Sequence, residues 1–346
     1  MERSIDWDGA ILAIDQRRLP QAYEILRIET IDQLLAAIHG LAIRGAPALG
    51  VAGALGVALS CQRHNTAAGL DRAAVYADSA RLAAARPTAV NLRRGVQLAL
   101  ACLDGGPERV LAEAKALAAE DERANRAAAR RAADLLRRIA PDRPLRLLTH
   151  CNTGRLATAG WGTALGAIRV LAGRGRVESV LVTETRPLLQ GARLTTWELA
   201  EAGIPHRLCV DSAAAAAMAA GQVDAVLVGA DRVAANGDVA NKIGTYPLAL
   251  AAARHAVPFV VVAPESTVDP DMPDGGHIVI EQRPADEVTR LAGLSGRAQT
   301  EVFNPAFDVT PAELITAVTT EERTISPGTG PAQAPRLAVA AHGVGG

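Results

Sequence analysis

Short apolar runs, rich in β-branched residues, alternate with helical segments through the second half of the 346-residue chain. The runs lie at residues 145–149, 179–183, 207–210, 225–228, 259–262 and 278–280. Strands that alternate with helices pair in parallel, and a parallel sheet is buried on both faces. The pattern therefore predicts an α/β domain with a doubly wound, Rossmann-like parallel sheet, with ligands at the carboxyl ends of its strands.

The first part of the chain has a helical pattern. Residues 11–28 read as short extended segments, and Thr30-x-x-Gln33 predicts a capping box that opens a helix to Ile38. Pro47 suits the first turn of the next helix, and residues 67–139 are rich in Ala and Arg. We predict a mainly helical domain over 1–140, a linker at 141–144, a Rossmann-like domain over 141–325 and a disordered tail over 326–346.

Charge, cysteine content and missing motifs narrow the function. The 36 basic and 37 acidic residues give a formal net charge of -1, so no overall field attracts nucleic acid or a membrane surface. The cysteines form no CxxC pair, and no P-loop, GxGxxG, HExxH or nucleophile elbow occurs. No export signal or membrane-spanning run is expected. We therefore expect a cytoplasmic protein that uses no cofactor and no metal, and whose partner is a small molecule.

A cysteine follows the first predicted strand. Cys151 precedes a helical pattern, which predicts a place near a helix N-terminus, where the helix dipole lowers the pKa of a thiol. A buried and unreactive cysteine is the alternative interpretation. The polar neighbours and Gly154 favour the reactive thiol.

Polar residues also follow the second and fourth predicted strands. Gln190 can bind sugar hydroxyls, although a solvated loop explains that segment equally well. Asp231 directly follows a buried strand, where partial burial raises the pKa of a carboxyl group and suits it to proton transfer. Asn241 and Lys242 are predicted to open a helix to Ala253 with a phosphate on its N-terminus, whereas a salt bridge is the alternative for the lysine.

Two arginine segments of the helical part are further candidates. Arg44, Gly45 and Ala46 present a guanidinium group and backbone N–H groups ahead of a helix, an arrangement that suits a phosphate. A glycine turn between helices explains this segment equally well. Arg86 lies in a predicted loop before a helix that begins near Val90.

Together these segments closely resemble one known family. The resemblance is carried by RGAPALG (44–50), RPTAVNL (86–92), THCNTG (149–154), ETRPLLQGARLTTWEL (184–199), GADRVAANGDVANKIGTY (229–246) and NPAFDVTPAELITA (304–317). They resemble the methylthioribose-1-phosphate isomerase family, over nearly the whole chain up to about residue 325. That family is related to the regulatory subunits of the translation-initiation exchange factor.

The resemblance implies an aldose–ketose isomerase of methionine salvage, which converts 5-methylthioribose 1-phosphate to 5-methylthioribulose 1-phosphate. It implies that Asp231 is the proton donor, that Cys151 is the essential thiol and that the protein is a homodimer. It implies substrate binding by Arg44, Gly45, Ala46, Arg86, Gln190, Asn241 and Lys242.

Two other functions stay open. One is an isomerase of a related sugar 1-phosphate, such as 5-deoxyribose 1-phosphate or ribose 1,5-bisphosphate. The other is a non-catalytic regulatory subunit of the exchange-factor type, which shares the fold. The presence of both Cys151 and Asp231 favours an enzyme over the regulatory subunit.

Overall fold

The computed structural model describes residues 3–86, 89–291, 293 and 301–326. The chain divides into two compact units, Met1–Arg126 with Thr153–Gly162 and Ala127–Asn152 with Thr163–Gly346. The predicted linker at 141–144 lies in the second unit, and the domain boundaries at 140 and 325 stay predictions. Apart from Ser326, the predicted disordered tail lies outside the described residues.

The first unit is mainly helical, and it begins with an antiparallel sheet in the region where the sequence predicts short extended segments. Its strands are β1 (Ile5–Trp7), β2 (Ile11–Ile14) and β3 (Ile25–Ile28), in that order. Its helices are α1 (Ile31–His39), α2 (Ala46–His64), α3 (Arg72–Ala84), α4 (Val90–Leu100) and the part of α5 (Gly106–Ile139) up to Arg126. A hairpin of β4 (Asn65–Thr66) and β5 (Gly69–Leu70) connects α2 to α3.

Local sequence explains how these helices begin and pack. The predicted capping box is present, because Gln33 N–H donates to Thr30 Oγ1 at 3.2 Å and Thr30 N–H donates to Gln33 Oε1 at 3.1 Å. Helix α2 has a proline in its first turn and packs closely against α4. A Cβ added at Gly95 would lie 1.9 Å from Gly50 O, so the two backbones approach at a distance that only glycine allows.

A seven-stranded sheet, formed within the described residues, is the centre of the second unit. Its order is β16-β15-β12-β9-β6-β7-β8, and all neighbours pair in parallel except β16. The strands are β6 (Leu145–Thr149), β7 (Val177–Thr183), β8 (His206–Cys209), β9 (Ala225–Val228), β12 (Phe259–Val262), β15 (Ala317–Thr319) and β16 (Thr324–Ile325). The predicted Rossmann-like parallel sheet is confirmed.

Helices connect most of these strands. They are α6 (Ala164–Gly173), α7 (Thr196–Glu201), α8 (Ala213–Ala219), α9 (Thr245–Arg254) and α10 (Asp286–Thr289). A π-helical turn, Gly191–Thr195, directly precedes α7. None of the described helices has the length and apolar character needed to cross a membrane.

The second unit also contains a smaller sheet that the sequence did not predict. It has the order β13-β10-β11-β14, formed by β10 (Arg232–Ala234), β11 (Val239–Lys242), β13 (Val268–Asp269) and β14 (Phe307–Thr310). The predicted strand at 278–280 is wrong. Ile278 and Ile280 are buried against Ala240 and Val309 of this sheet. Residues 278–280 therefore pack on one face of the small sheet and belong to no strand of either sheet.

Candidate active site

Cys151 lies two residues beyond the end of β6, in a backbone conformation that is rare for residues other than glycine. Its φ is +61°, and it is only 7% exposed. Its N–H donates to Thr185 Oγ1 at 2.9 Å, and its carbonyl accepts from Thr195 Oγ1 at 2.6 Å. Such strained residues persist only where the surroundings hold them, and they cluster at functional sites.

The predicted helix N-terminus beside Cys151 is wrong. The next helix, α6, begins at Ala164, and the residues Thr153–Gly162 that come before it belong to the first unit. Cys151 therefore does not lie in the first turn of α6. The backbone of Cys151 is held instead by two threonine hydroxyl groups, since Thr185 accepts its N–H and Thr195 donates to its carbonyl.

Asp231 follows the strand that lies beside β6. Strands β6 and β9 pair in parallel with Thr149 opposite Leu227, so both chains leave the sheet at the same edge. Cys151 lies two residues past Thr149, and Asp231 lies three residues past the end of β9. Asp231 is half-buried, and its N–H donates to Ala240 O at 2.9 Å. The structure thus brings the predicted thiol and carboxyl residues to the carboxyl ends of adjacent strands.

Gln190 is buried just beyond β7, and its acceptor oxygen is unused. The residue is 4% exposed, and within the described part of the chain its Oε1 has no hydrogen-bond partner. It directly precedes Gly191, where an added Cβ would lie 1.8 Å from Thr183 O, so glycine is required next to it. Because a buried carbonyl without a donor is costly, this oxygen is suited to accept a hydrogen bond from a ligand.

Asn241 and Lys242 lie at the end of strand β11. The predicted helix start at these residues is wrong, because α9 begins at Thr245. The Asn241 amide donates to Thr245 Oγ1 at 3.0 Å. Lys242 Nζ donates to Ala306 O at 2.8 Å and lies 4.7 Å from the centre of the Phe307 ring.

Asp308 occupies the N-terminus of α9, where the sequence predicts a phosphate. Its carboxylate accepts the N–H of Gly244 at 2.7 Å and the N–H of Tyr246 at 3.2 Å. Burial raises the pKa of Asp308 to about 7, although these N–H groups and Lys242 act in the opposite direction. A phosphate at this helix end would meet the carboxyl group of Asp308, so any role of Lys242 in substrate binding cannot depend on the helix dipole.

His150 connects the end of β6 to the turn that precedes α9. Its Nδ1 lies 2.6 Å from Thr183 Oγ1, and its Nε2 lies 2.8 Å from Ile243 O. Burial lowers the pKa of His150, so the ring is neutral. Since a carbonyl only accepts hydrogen bonds, Nε2 carries the hydrogen and Nδ1 accepts from the Thr183 hydroxyl. Gly244 (φ +104°) packs on this ring, because an added Cβ would lie 2.9 Å from Cε1.

The other predicted substrate-binding residues belong to the first unit. They are Arg44, Gly45, Ala46 and Arg86. Arg44 is buried, and its Nε donates to Gln16 Oε1 at 3.1 Å. Gly45 has φ +94°, and an added Cβ would lie 2.1 Å from Ala157 O, so the turn ahead of α2 requires glycine. Ala46 begins α2, and Arg86 is half-buried just after α3.

Sequence reasoning missed Thr185, Thr195 and Asp308. Thr195 lies inside a segment with a helical pattern, where no local signal marks a hydroxyl that donates to the Cys151 carbonyl. Asp308 lies opposite Asn241 in the β11–β14 pair. Only this pairing reveals its place, since the two residues are far apart in the sequence.

The described residues contain no group of three or more His, Cys, Asp or Glu side chains placed to hold a metal ion. The cysteines at positions 61, 102, 151 and 209 are free thiols. The expectation that the protein uses no metal and no cofactor stays a prediction.

Known proteins resemble this chain over most of its length. The family model of the initiation factor 2 subunit family matches residues 42–327. The chain is 62% identical over 322 residues to the probable bifunctional methylthioribose-1-phosphate isomerase/methylthioribulose-1-phosphate dehydratase of Nocardia farcinica, and the match covers 92% of this chain but only 58% of that protein. It is 47% identical over 328 residues to the methylthioribose-1-phosphate isomerase of Nitrosococcus oceani, covering 92% and 93% of the two chains.

Solved structures also share the fold, and two of them are compared with this chain. The 5-methylthioribose 1-phosphate isomerase from Pyrococcus horikoshii is 35% identical with a TM-score of 0.83, covering 94% of this chain and 93% of that one. The translation initiation factor eIF-2B subunit delta from A. fulgidus is 41% identical with a TM-score of 0.82, covering 94% and 96%. Proteins named as enzymes and proteins named as initiation factors therefore share this architecture.

Proposed function

We propose that this chain, which belongs to the initiation factor 2 subunit family, is the isomerase that converts 5-methylthioribose 1-phosphate to 5-methylthioribulose 1-phosphate in methionine salvage. The observation that carries the proposal is the identity of 47% to 62%, over 92% of the chain, with proteins named for this activity. Only the isomerase is proposed, because the chain spans 58% of the bifunctional Nocardia protein.

Cys151 and Asp231 are the reacting side chains of this proposal. A phosphate on the anomeric carbon prevents the sugar ring from opening spontaneously. The enzyme must therefore open the ring before hydrogen can move from C2 to C1. Asp231 donates a proton to the ring oxygen as the bond from that oxygen to C1 breaks. Cys151 assists the transfer of hydrogen from C2 to C1, either as a base or by stabilising the developing charge. The C2 hydroxyl group loses its proton in this step, which replaces the proton that Asp231 donated, and a carbonyl remains at C2. The positions of the two residues after adjacent parallel strands support these roles.

Substrate binding is assigned to the seven residues that the family resemblance implies. They are Arg44, Gly45, Ala46, Arg86, Gln190, Asn241 and Lys242. Gln190 Oε1 has no partner among the described residues, and this supports its role, because a sugar hydroxyl that donates to it would satisfy a buried acceptor. Three of the other residues carry a positive charge, which suits the phosphate.

A homodimer in the cytoplasm is the proposed form of the protein. The dimer rests on the family resemblance. The free thiols at all four cysteine positions support a reducing compartment.

A regulatory role of the exchange-factor type is the second candidate, and the 41% identity to the A. fulgidus subunit favours it. Two relatives named as isomerases reach higher identity, at 62% and 47%, although the isomerase from Pyrococcus horikoshii is 35% identical. The chain also carries both Cys151 and Asp231, which such a binding protein does not need. We therefore favour the enzyme.

A panel of 1-phosphorylated pentoses that differ at C5 tests the substrate. Purified protein is incubated with methylthioribose 1-phosphate, 5-deoxyribose 1-phosphate and ribose 1,5-bisphosphate, without added metal or nucleotide, and the products are identified by NMR. The proposal predicts that kcat/KM is highest for the methylthio compound. Equal rates would show that the methylthio assignment is too narrow, and no turnover of any compound would favour the regulatory role.

A further inference from the structure

Two residues in direct contact share a strained backbone conformation. Cys151 has φ +61° and Thr185 has φ +64°, and the Cys151 N–H donates to Thr185 Oγ1 at 2.9 Å. Positive φ is uncommon for any residue other than glycine, and for a β-branched residue such as threonine it is a genuine outlier. Such conformations persist only where neighbouring groups fix them.

The amino side of the Cys151 peptide is fixed by Thr185 and Asp211. The Asp211 carboxylate accepts the N–H of Thr185 and the N–H of Arg186, both at 2.7 Å. The Thr185 hydroxyl donates to Thr183 O at 3.2 Å. The oxygen that receives the Cys151 N–H is therefore itself held by the end of β7 and by an anchored turn.

The carbonyl side is fixed by Thr195, the last residue of the π-helical turn. Its hydroxyl donates to Cys151 O at 2.6 Å. The same hydroxyl lies 3.3 Å from the donating Asn152 amide, which also donates to Glu198 Oε1 at 2.8 Å. Because π-helical turns are rare and often found at functional sites, the position of Thr195 here needs an explanation.

We propose that Thr195 and Thr185 are positioning residues that hold the Cys151 peptide from both sides, and so direct its thiol toward the reacting carbons. Because φ and ψ set the direction of the Cα–Cβ bond relative to the flanking peptide groups, a Cys151 with a relaxed φ would carry its sulfur elsewhere. This inference rests on the proposed function, because it assigns a purpose to the strain at the proposed catalytic thiol.

Isosteric variants of Thr195 test the inference. Thr195→Val keeps the shape and loses the hydroxyl, Thr195→Ser keeps the hydroxyl, and Thr195→Ala covers the case in which the valine variant does not fold. Thr196→Val is the matched control, since that hydroxyl donates to Ala192 O within its own helical turn. We expect kcat of Thr195→Val and Thr195→Ala to fall about tenfold to a hundredfold, while Thr195→Ser stays within about threefold and KM changes little.

Thiol labelling gives a readout that does not depend on turnover. Iodoacetamide labelling is quantified for each cysteine by peptide mass spectrometry. In Thr195→Val the Cys151 backbone loses the hydrogen bond at its carbonyl, so labelling of Cys151 is expected to rise about tenfold. Labelling of Cys209, which lies in the same unit, is expected to stay at the wild-type rate, whereas general loosening of the fold would raise both.

The inference would be overturned by wild-type kcat and wild-type Cys151 labelling in Thr195→Val and Thr195→Ala. Equal losses in Thr196→Val would also overturn it, because they would show a general effect on the helix. Failure of the proposed function is distinguishable. If Cys151→Ser kept full activity, the catalytic role of the thiol would fail, and the labelling comparison alone would decide whether the two threonines hold this peptide.

Discussion

Replacing Asp308 by asparagine is expected to remove a pH dependence of folding stability. Burial raises the pKa of Asp308 to about 7 in the folded protein, compared with an ordinary value of 3.8. The folded state therefore binds this proton more tightly than the unfolded chain does. The resulting stabilisation is complete below about pH 3.8 and is lost as the pH rises through 7.

The size of the effect follows from proton linkage. Between pH 5 and pH 8, the free energy of unfolding should fall by about 2 to 3 kcal/mol through this one group, at about 1.36 kcal/mol per pH unit over the steep part of the curve. The asparagine of Asp308→Asn cannot ionise. It has one acceptor oxygen in place of two, so it can accept the N–H of Gly244 or that of Tyr246 but not both in the present geometry. The variant should therefore lose about 1 kcal/mol of stability at pH 5 and lack the further loss toward pH 8.

Urea unfolding, followed by circular dichroism from pH 5 to pH 8, measures this difference. Groups other than Asp308 titrate in both proteins and cancel when the two curves are subtracted. Asp271→Asn, which changes an exposed carboxyl group of the same unit, should follow the wild type. Parallel pH curves for wild type and Asp308→Asn would refute the reasoning, because they would mean that Asp308 has the same pKa in the folded protein and in the unfolded chain.

Further predictions concern the residues around the site. Gly191→Ala should lower the free energy of unfolding by about 3 kcal/mol, because the new Cβ would lie 1.8 Å from Thr183 O; a melting temperature equal to wild type would contradict this contact. Gly244→Ala combines φ +104° with an atom 2.9 Å away on the neighbouring imidazole ring, so it should cost clearly more in urea unfolding than Gly221→Ala, which has φ +64° and nothing within 4 Å. Equal losses of unfolding free energy in the two variants would show that the contact with the imidazole ring does not contribute. Gln190→Met should raise KM about tenfold in steady-state assays through loss of one hydrogen bond to substrate, and an unchanged KM would argue against that bond.

The central strands were predictable because their residues carry a local signal. Strands β9 and β12 are continuous apolar runs that are fully buried, as parallel strands require. The small sheet had no such signal, since its strands are two to four residues long and include Asn241 and Lys242. The extended conformation of Asn241 and Lys242 depends on the pairing of β11 with β14, which lies far along the chain. The apolar residues at 278–280 suggested a strand, but they cover this sheet instead.

The candidate site was predictable in its residues and less so in its geometry. The polar residues that follow buried strands, Cys151 and Asp231, do lie after adjacent paired strands. The helix end expected beside Cys151 is absent, because the chain first passes through residues of the first unit before α6 begins. The hydroxyl of Thr195 reaches the Cys151 carbonyl only through tertiary structure. Contacts of this kind have no period or motif in the sequence.

Turnover of methylthioribose 1-phosphate by three proteins tests the central claim most directly. Wild type, Cys151→Ser and Asp231→Asn are compared by NMR of the product, after circular dichroism has verified that each variant is folded. We predict that wild type forms the 2-ketose 1-phosphate, and that each variant is slower by about a hundredfold or more. Wild-type rates in either folded variant would contradict the assignment of that residue to the reaction.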